Sequence, residues 1–196
     1  MEVDLPDANI WTYVADHEAD SEYSEAHKIY EEAINAERAV CIPTYVLAEF
    51  YRTVDRVQEP DKTQVIDPYT IYAALQESDT VFCPNPSRQV QYAESIHARR
   101  RRPETYTVSQ LVNMEAKDAP ILSYAVQVRD FVHPNVETDS ISGCPPSSEP
   151  YRLKTVVDSK GLDDLTIRIL TYESDFVSDN GLPEIDGVYV KNYQAD

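Results

Sequence analysis

Glycine, cysteine and lysine are all scarce in this chain, and each shortage removes a class of function. Only four glycines occur in 196 residues. No GxGxxG, Walker-type or GxSxG run is present, which disfavours a glycine-rich phosphate cradle and a nucleophile elbow. The three cysteines, Cys41, Cys83 and Cys144, are far apart and form no CxxC pair, so a structural zinc site is not expected. Cys41 and Cys83 stand in the apolar runs AVCIP and TVFCP and read as buried thiols in strands. His17, His27, His97 and His133 show neither HExxH nor a paired spacing and read as surface residues. No apolar run reaches the roughly 18 residues that a membrane-spanning helix needs. The opening MEVDLPDAN has no basic segment followed by an apolar one, so no signal peptide is visible and the cytoplasm is the expected location.

What the chain does have is acid. Thirty-five acidic residues face 17 basic ones, for a net charge of −18. Only six of the basic residues are lysine, and the acids are spread along the whole chain. A disordered acidic tail therefore does not account for them. The composition resembles that of proteins from salt-loving archaea, where the Debye length shrinks to about 3 Å at 1 M salt and self-repulsion is screened. The 42% hydrophobic content is enough for a sizeable core.

The order of elements predicts one domain over residues 1–196. EVDLP reads as a first strand ending at Asp7, followed by a helix over about 8–15. Ser21 or Ser24 caps an amphipathic helix to about Ala36, with Ala26, Ile29, Tyr30, Ala33 and Ile34 on one face. Ala39–Ile42 is a second strand. Pro43 opens a helix with Leu47, Phe50, Tyr51 and Val54 inward. Asp67-Pro68 opens another, with Ile71, Ala74 and Leu75 inward. Thr80–Cys83 is a third strand. Helices are expected over 87–97 and from about Ser109 to Asp118, and a further helix opens at Asp118. The proline- and serine-rich stretch 133–161 reads as a loop insertion. LTIRILT over 165–171 is the clearest strand, and 181–190 gives a last short one. Alternating strands and helices imply an α/β fold, a three-layer α/β/α arrangement with a central parallel sheet.

In such sheets, sites form outside the carboxyl ends of strands. Asp7 follows the first strand, Glu49 lies in the helix after the second, and Asp175 follows LTIRILT. Asp118 sits at an expected helix start that a suitable strand order brings to the same edge. Converging carboxylates repel one another, and hard divalent cations relieve that repulsion through oxygen ligands. An ion so held can activate water against a phosphodiester. The bland readings stand beside this one. In so acidic a chain suggestive placement by chance is easy, Asp7 and Asp118 could be helix caps, and Glu49 could be a solvated helix residue.

The local sequences carry more. LPDANIWTYVADHEADSEYSEAHKIYEEA, CIPTYVLAEFYRTV, AKDAPILSYAVQV and LTIRILTYESDF occur in that order across nearly the whole chain. They resemble the four acidic motifs of the PIN-domain family, which includes the VapC-like toxin ribonucleases. The resemblance implies a Mg²⁺- or Mn²⁺-dependent endoribonuclease, often the toxin of a toxin–antitoxin pair. It maps Asp7, Glu49, Asp118 and Asp175 onto the metal-binding catalytic positions, with Asn9 and Thr171 as supporting polar residues and Glu173 as an assisting or substituting acid. RNA is then the substrate, and an antitoxin protein and a second copy of the chain are candidate partners. Three features depart from the family's pattern: the long connection between the third and fourth motifs, Pro120, and Lys117 before the third Asp. Glu115 is the alternative ligand there.

Arg99, Arg100, Arg101 and Arg102 form the one basic cluster, close to Tyr92 and Tyr106. They read either as a grip on RNA phosphates or as a helix end favoured by cations. The rival to the nuclease is a catalytically inactive PIN-like module that binds RNA or protein.

Overall fold

A computed structural model of the chain describes residues 1–16, 23–57, 66–82, 121, 122, 124, 125, 128, 129, 165–173 and 187–193. Five strands form one sheet: β1 (Glu2–Pro6), β2 (Val40–Cys41), β3 (Val81–Phe82), β4 (Thr166–Thr171) and β5 (Val188–Asn192), in the spatial order β3-β2-β1-β4-β5. Every neighbouring pair is parallel. The α/β architecture expected from the sequence is the one observed. Among the described residues, no helix is long and apolar enough to cross a membrane.

The central strand shows why the sheet is sandwiched. Val3 and Leu5 on one face of β1, and Asp4 and Pro6 on the other, are all buried. Strands covered on both faces carry near-continuous apolar runs, and β4 follows suit with Ile167, Ile169 and Leu170 fully buried.

Four helices are described in full: α1 (Ala8–Ala15), α2 (Ser24–Ile34), α3 (Thr44–Val57) and α4 (Pro68–Gln76). Ile121, Leu122, Tyr124, Ala125, Val128 and Arg129 are also helical. α1 packs on α2, α3 and β4. On α2 the expected stripe is buried at Ala26, Ile29 and Ala33. Its start differs from the sequence reading: the cap position is Tyr23, without a side-chain cap, and Ser24 is already helical. α3 buries Leu47, Phe50 and Val54, with Tyr51 only half-buried. On α4 the inward residue beside Ile71 and Leu75 is Tyr72, not Ala74, and Asp67 caps the helix by accepting from the Tyr69 N–H at 3.0 Å.

The last strand lies later than expected, over Val188–Asn192 rather than 181–190. β3 is shorter than Thr80–Cys83. The expected helices over 87–97 and 109–118 and the insertion at 133–161 lie outside the described residues, as do Cys83 and Cys144; Cys41 is buried.

Two further features escape a local reading. Asp4, 1% exposed, accepts from Arg38 and, at 2.7 and 3.0 Å, from the Arg168 guanidinium. Arg38 also pairs with Glu32, and Arg168 with Glu2 at 2.7 Å. Just past the Asn35 cap of α2, Ala36 stands at φ 59, where its N–H donates to the Ala33 carbonyl and the Glu37 N–H to the Glu32 carbonyl. That left-handed closing residue is usually glycine.

Candidate active site

The strand order reverses beside β1. The chain runs from β1 outward to β2 and β3, then returns to lay β4 on the other side of β1. The carboxyl ends of β1 and β4 therefore lie side by side at the reversal, the place where sites form in such sheets. Asp7 leaves β1 at this point, and its N–H donates to the Leu170 carbonyl of β4 at 2.8 Å. Thr171, Tyr172 and Glu173 leave β4 beside it.

Asp7 is both a helix cap and a site residue. Its Oδ1 accepts from the Ala8 N–H at 2.7 Å, capping α1. Its Oδ2 accepts from the Asn9 Nδ2 at 2.9 Å and from the Thr171 hydroxyl at 3.2 Å. Asn9 ties the two strands together: Nδ2 also reaches the Thr171 Oγ1 at 2.9 Å, and Oδ1 accepts from the Tyr172 N–H at 3.2 Å. The Thr171 Oγ1 further accepts from the Glu173 N–H at 3.0 Å, and Asn192 holds the Glu173 carbonyl at 2.8 Å. A carboxylate so pinned keeps one orientation, which a ligand-binding group needs.

The cleft above Asp7, about 250 Å³, is lined by Asp7, Ala8, Asn9, Thr12, Tyr13, Glu49, Thr53 and Glu173. Glu49 comes from α3, where Arg52 stands 3.9 Å away on an exposed face. The Asp7 carboxyl is pushed up to about 6. Burial is the largest cause, and the charges of Glu49 and Glu173 add to it. The Ala8 N–H and the Thr171 hydroxyl oppose the rise. Three acids therefore face one concavity, and the charges of Glu49 and Glu173 both act on Asp7.

The structure brings together five of the residues singled out from the sequence: Asp7, Glu49, Asn9, Thr171 and Glu173. Asp118, its alternative Glu115, Asp175 and Arg99–Arg102 lie outside the described residues. Among the described residues, no three His, Cys, Asp or Glu side chains stand close enough to hold one ion together.

Sequence reasoning missed Thr12, Tyr13 and Thr53. A signal for them existed. Asn9, Thr12 and Tyr13 are spaced by three and four on α1, and Glu49 and Thr53 by four on α3, so each set shares the helix face of an already suspected residue. No protein-family model matches the chain, and no curated protein matches it either.

Proposed function

We propose that this protein is a Mg²⁺- or Mn²⁺-dependent endoribonuclease acting at the cleft of Asp7, Glu49 and Glu173. The observation that carries the reading is the Asp7 carboxylate, buried at the crevice where the strand order reverses, pinned by Asn9 and Thr171, and facing two further acids.

The donor set fits a hard divalent cation. Every candidate ligand is a carboxylate oxygen; burial raises Asp7 most and the Glu49 and Glu173 charges add to it, and a bound dication favours the ionised carboxylate against both. Mg²⁺ in particular keeps several waters and is commonly held by one or two carboxylates, which suits acids that face one cleft without crowding a single point. Asp7 with one of the two glutamates, Glu49 or Glu173, would hold it, and Asp118 and Asp175 are the further ligands the sequence motifs propose. When bound, such an ion supplies a water of lowered pKa and offsets the charge that builds on a phosphodiester under attack.

The chain's own residues prepare the site. Asn9 and Thr171 give both their donors to the same Asp7 oxygen, which favours the ionised form and fixes the other oxygen at the head of α1. Arg99–Arg102 are proposed to hold phosphates beyond the one cleaved. An antitoxin partner is proposed on the motif resemblance alone.

The test is cleavage of a labelled single-stranded RNA at molar KCl with Mn²⁺, with and without chelator. The parent should cleave only with metal, and Asp7→Asn and Glu49→Gln should each lose activity with the circular dichroism of the fold retained. A parent that binds RNA without cutting it would identify a binding module instead. Full activity in Asp7→Asn would overturn the site.

A further inference from the structure

The wall that α3 gives to the acidic cleft carries a cation at its rim. Glu49 and Thr53 both line the cleft, four residues apart on one face of α3. Arg52 stands beside them, three residues after Glu49 and next to Thr53. Its guanidinium lies 3.9 Å from the Glu49 carboxylate, and its side chain is 61% exposed. Long helical side chains lean toward the amino end of their helix. α3 begins at Thr44, just after the carboxyl end of β2. The approach to Glu49, one turn nearer that end, shows this lean, so the guanidinium points back toward the sheet edge at which Asp7 stands.

Little holds Arg52 in place. Among the described residues its side chain makes no hydrogen bond, and Glu49 is its one ion-pair partner. An exposed pair at that separation contributes little to stability. Arg38 and Arg168 differ, since hydrogen bonds commit both to the buried Asp4.

Charge makes the placement informative. Asp7, Glu49 and Glu173 line one cleft in a chain at −18. A phosphodiester approaching those acids is repelled by any carboxylate left uncompensated, and a cation at the rim offsets that repulsion. Arginine suits the task. It stays charged at any working pH and presents a planar fork of donors that matches two phosphate oxygens. Such short contacts outlast the longer-range attraction that high salt screens. The bland role, a solvated helix pair, accounts for the spacing and predicts no effect on RNA.

We infer that Arg52 is a substrate-contacting residue, which exchanges its loose pairing with Glu49 for a bidentate contact to one RNA phosphate at the rim of the cleft. This rests on the ribonuclease reading for the substrate, and it adds the residue that meets the phosphate beside the acids.

The experiment is a binding cycle that does not rely on cleavage. Fluorescein-labelled 2′-O-methyl oligouridylate hexamers, intact or with each phosphate in turn replaced by a neutral methylphosphonate, are titrated in Ca²⁺ at fixed KCl. Mn²⁺ alone is titrated alongside. Arg52→Gln should weaken binding of the intact hexamer about tenfold, the low end for a charge-assisted hydrogen bond. Its slope of log affinity against log salt should be flatter by about 0.7, the share of one phosphate on a single strand. One methylphosphonate position should weaken the parent by a similar factor and cost Arg52→Gln nothing further. Arg52→Lys keeps the charge without the fork, so it should keep the slope and fall between the two in affinity. Mn²⁺ affinity in Arg52→Gln should equal or exceed the parent's, because the lost charge is positive. Hexamer affinity within about twofold of the parent would overturn the inference. So would Mn²⁺ affinity that falls along with it, the same methylphosphonate penalties in both proteins, or a parent that binds no hexamer. The two readings fail separately. Phosphate-specific binding through Arg52 without Mn²⁺-driven cleavage of RNA would sink only the nuclease, and cleavage with unchanged binding in Arg52→Gln would sink only the role of Arg52.

Discussion

Acidifying the metal-free protein from pH 8 to pH 5 should stabilise it through Asp7. Its carboxyl is raised from an ordinary 3.8 to about 6 by burial and by the neighbouring Glu49 and Glu173 charges. A carboxyl raised on folding binds its proton more tightly in the native state. Its favourable contribution is therefore complete below about pH 4 and is lost as pH rises through 6. A shift of about two units corresponds to about 3 kcal/mol over the whole window. Between pH 8 and pH 5 the expected gain is about 1–2 kcal/mol, because the unfolded carboxyl is still ionised at the lower end. Chemical denaturation at fixed molar KCl with chelator, on the parent and on Asp7→Asn, isolates this group. Asparagine misplaces a donor toward Asn9 and Thr171, but that cost does not vary with pH, so the difference in slope belongs to Asp7. Added Mn²⁺ should reverse the trend, since the metal needs the ionised carboxylate and should bind more weakly below pH 6. Equal pH slopes for parent and Asp7→Asn would refute the argument.

Other consequences are as direct. Ala36→Gly should stabilise the protein by about 0.5–1 kcal/mol in denaturant, since the left-handed backbone at φ 59 strains any Cβ; a destabilised variant would contradict the assignment of that turn. Asp4→Asn should cost about 2–3 kcal/mol, because it strips the shared anion from Arg38 and Arg168, which are themselves only 18% and 26% exposed; a loss below about 1 kcal/mol would mean the network is solvated. The melting temperature should climb from about 0.1 M to about 2 M KCl as dispersed acids are screened, and a flat response would remove the case for a halophilic origin. Replacing Arg99, Arg100, Arg101 and Arg102 by serine should weaken RNA binding across sequences and leave Mn²⁺ affinity unchanged, as read by titration of each ligand; unchanged RNA affinity would return the run to a solvated helix end.

Among the described residues, the sequence alone determined most elements and their order. Alternation and apolar spacing act over a few residues, so β1, α1, α2, α3, α4 and β4 could be placed where they form. Asp7 and Glu49 were legible from their places after the first two strands, while Asn9 was singled out only through the motif resemblance. Element edges were less so: α2 begins without the expected serine cap, and β5 lies past the expected 181–190. Tertiary structure decided what depends on distant pairing. Strand order put Thr171 against Asn9 across 162 residues of chain, and only that order made Thr171 a holder of Asp7 rather than the end of a strand. The same order set Asp4 against Arg168 and gathered Tyr13, Tyr23, Tyr172 and Tyr193 at one edge. Periodicity says which face of a segment is apolar. It does not say which other segment that face will meet, because that choice is made by the packing free energy of the whole sheet.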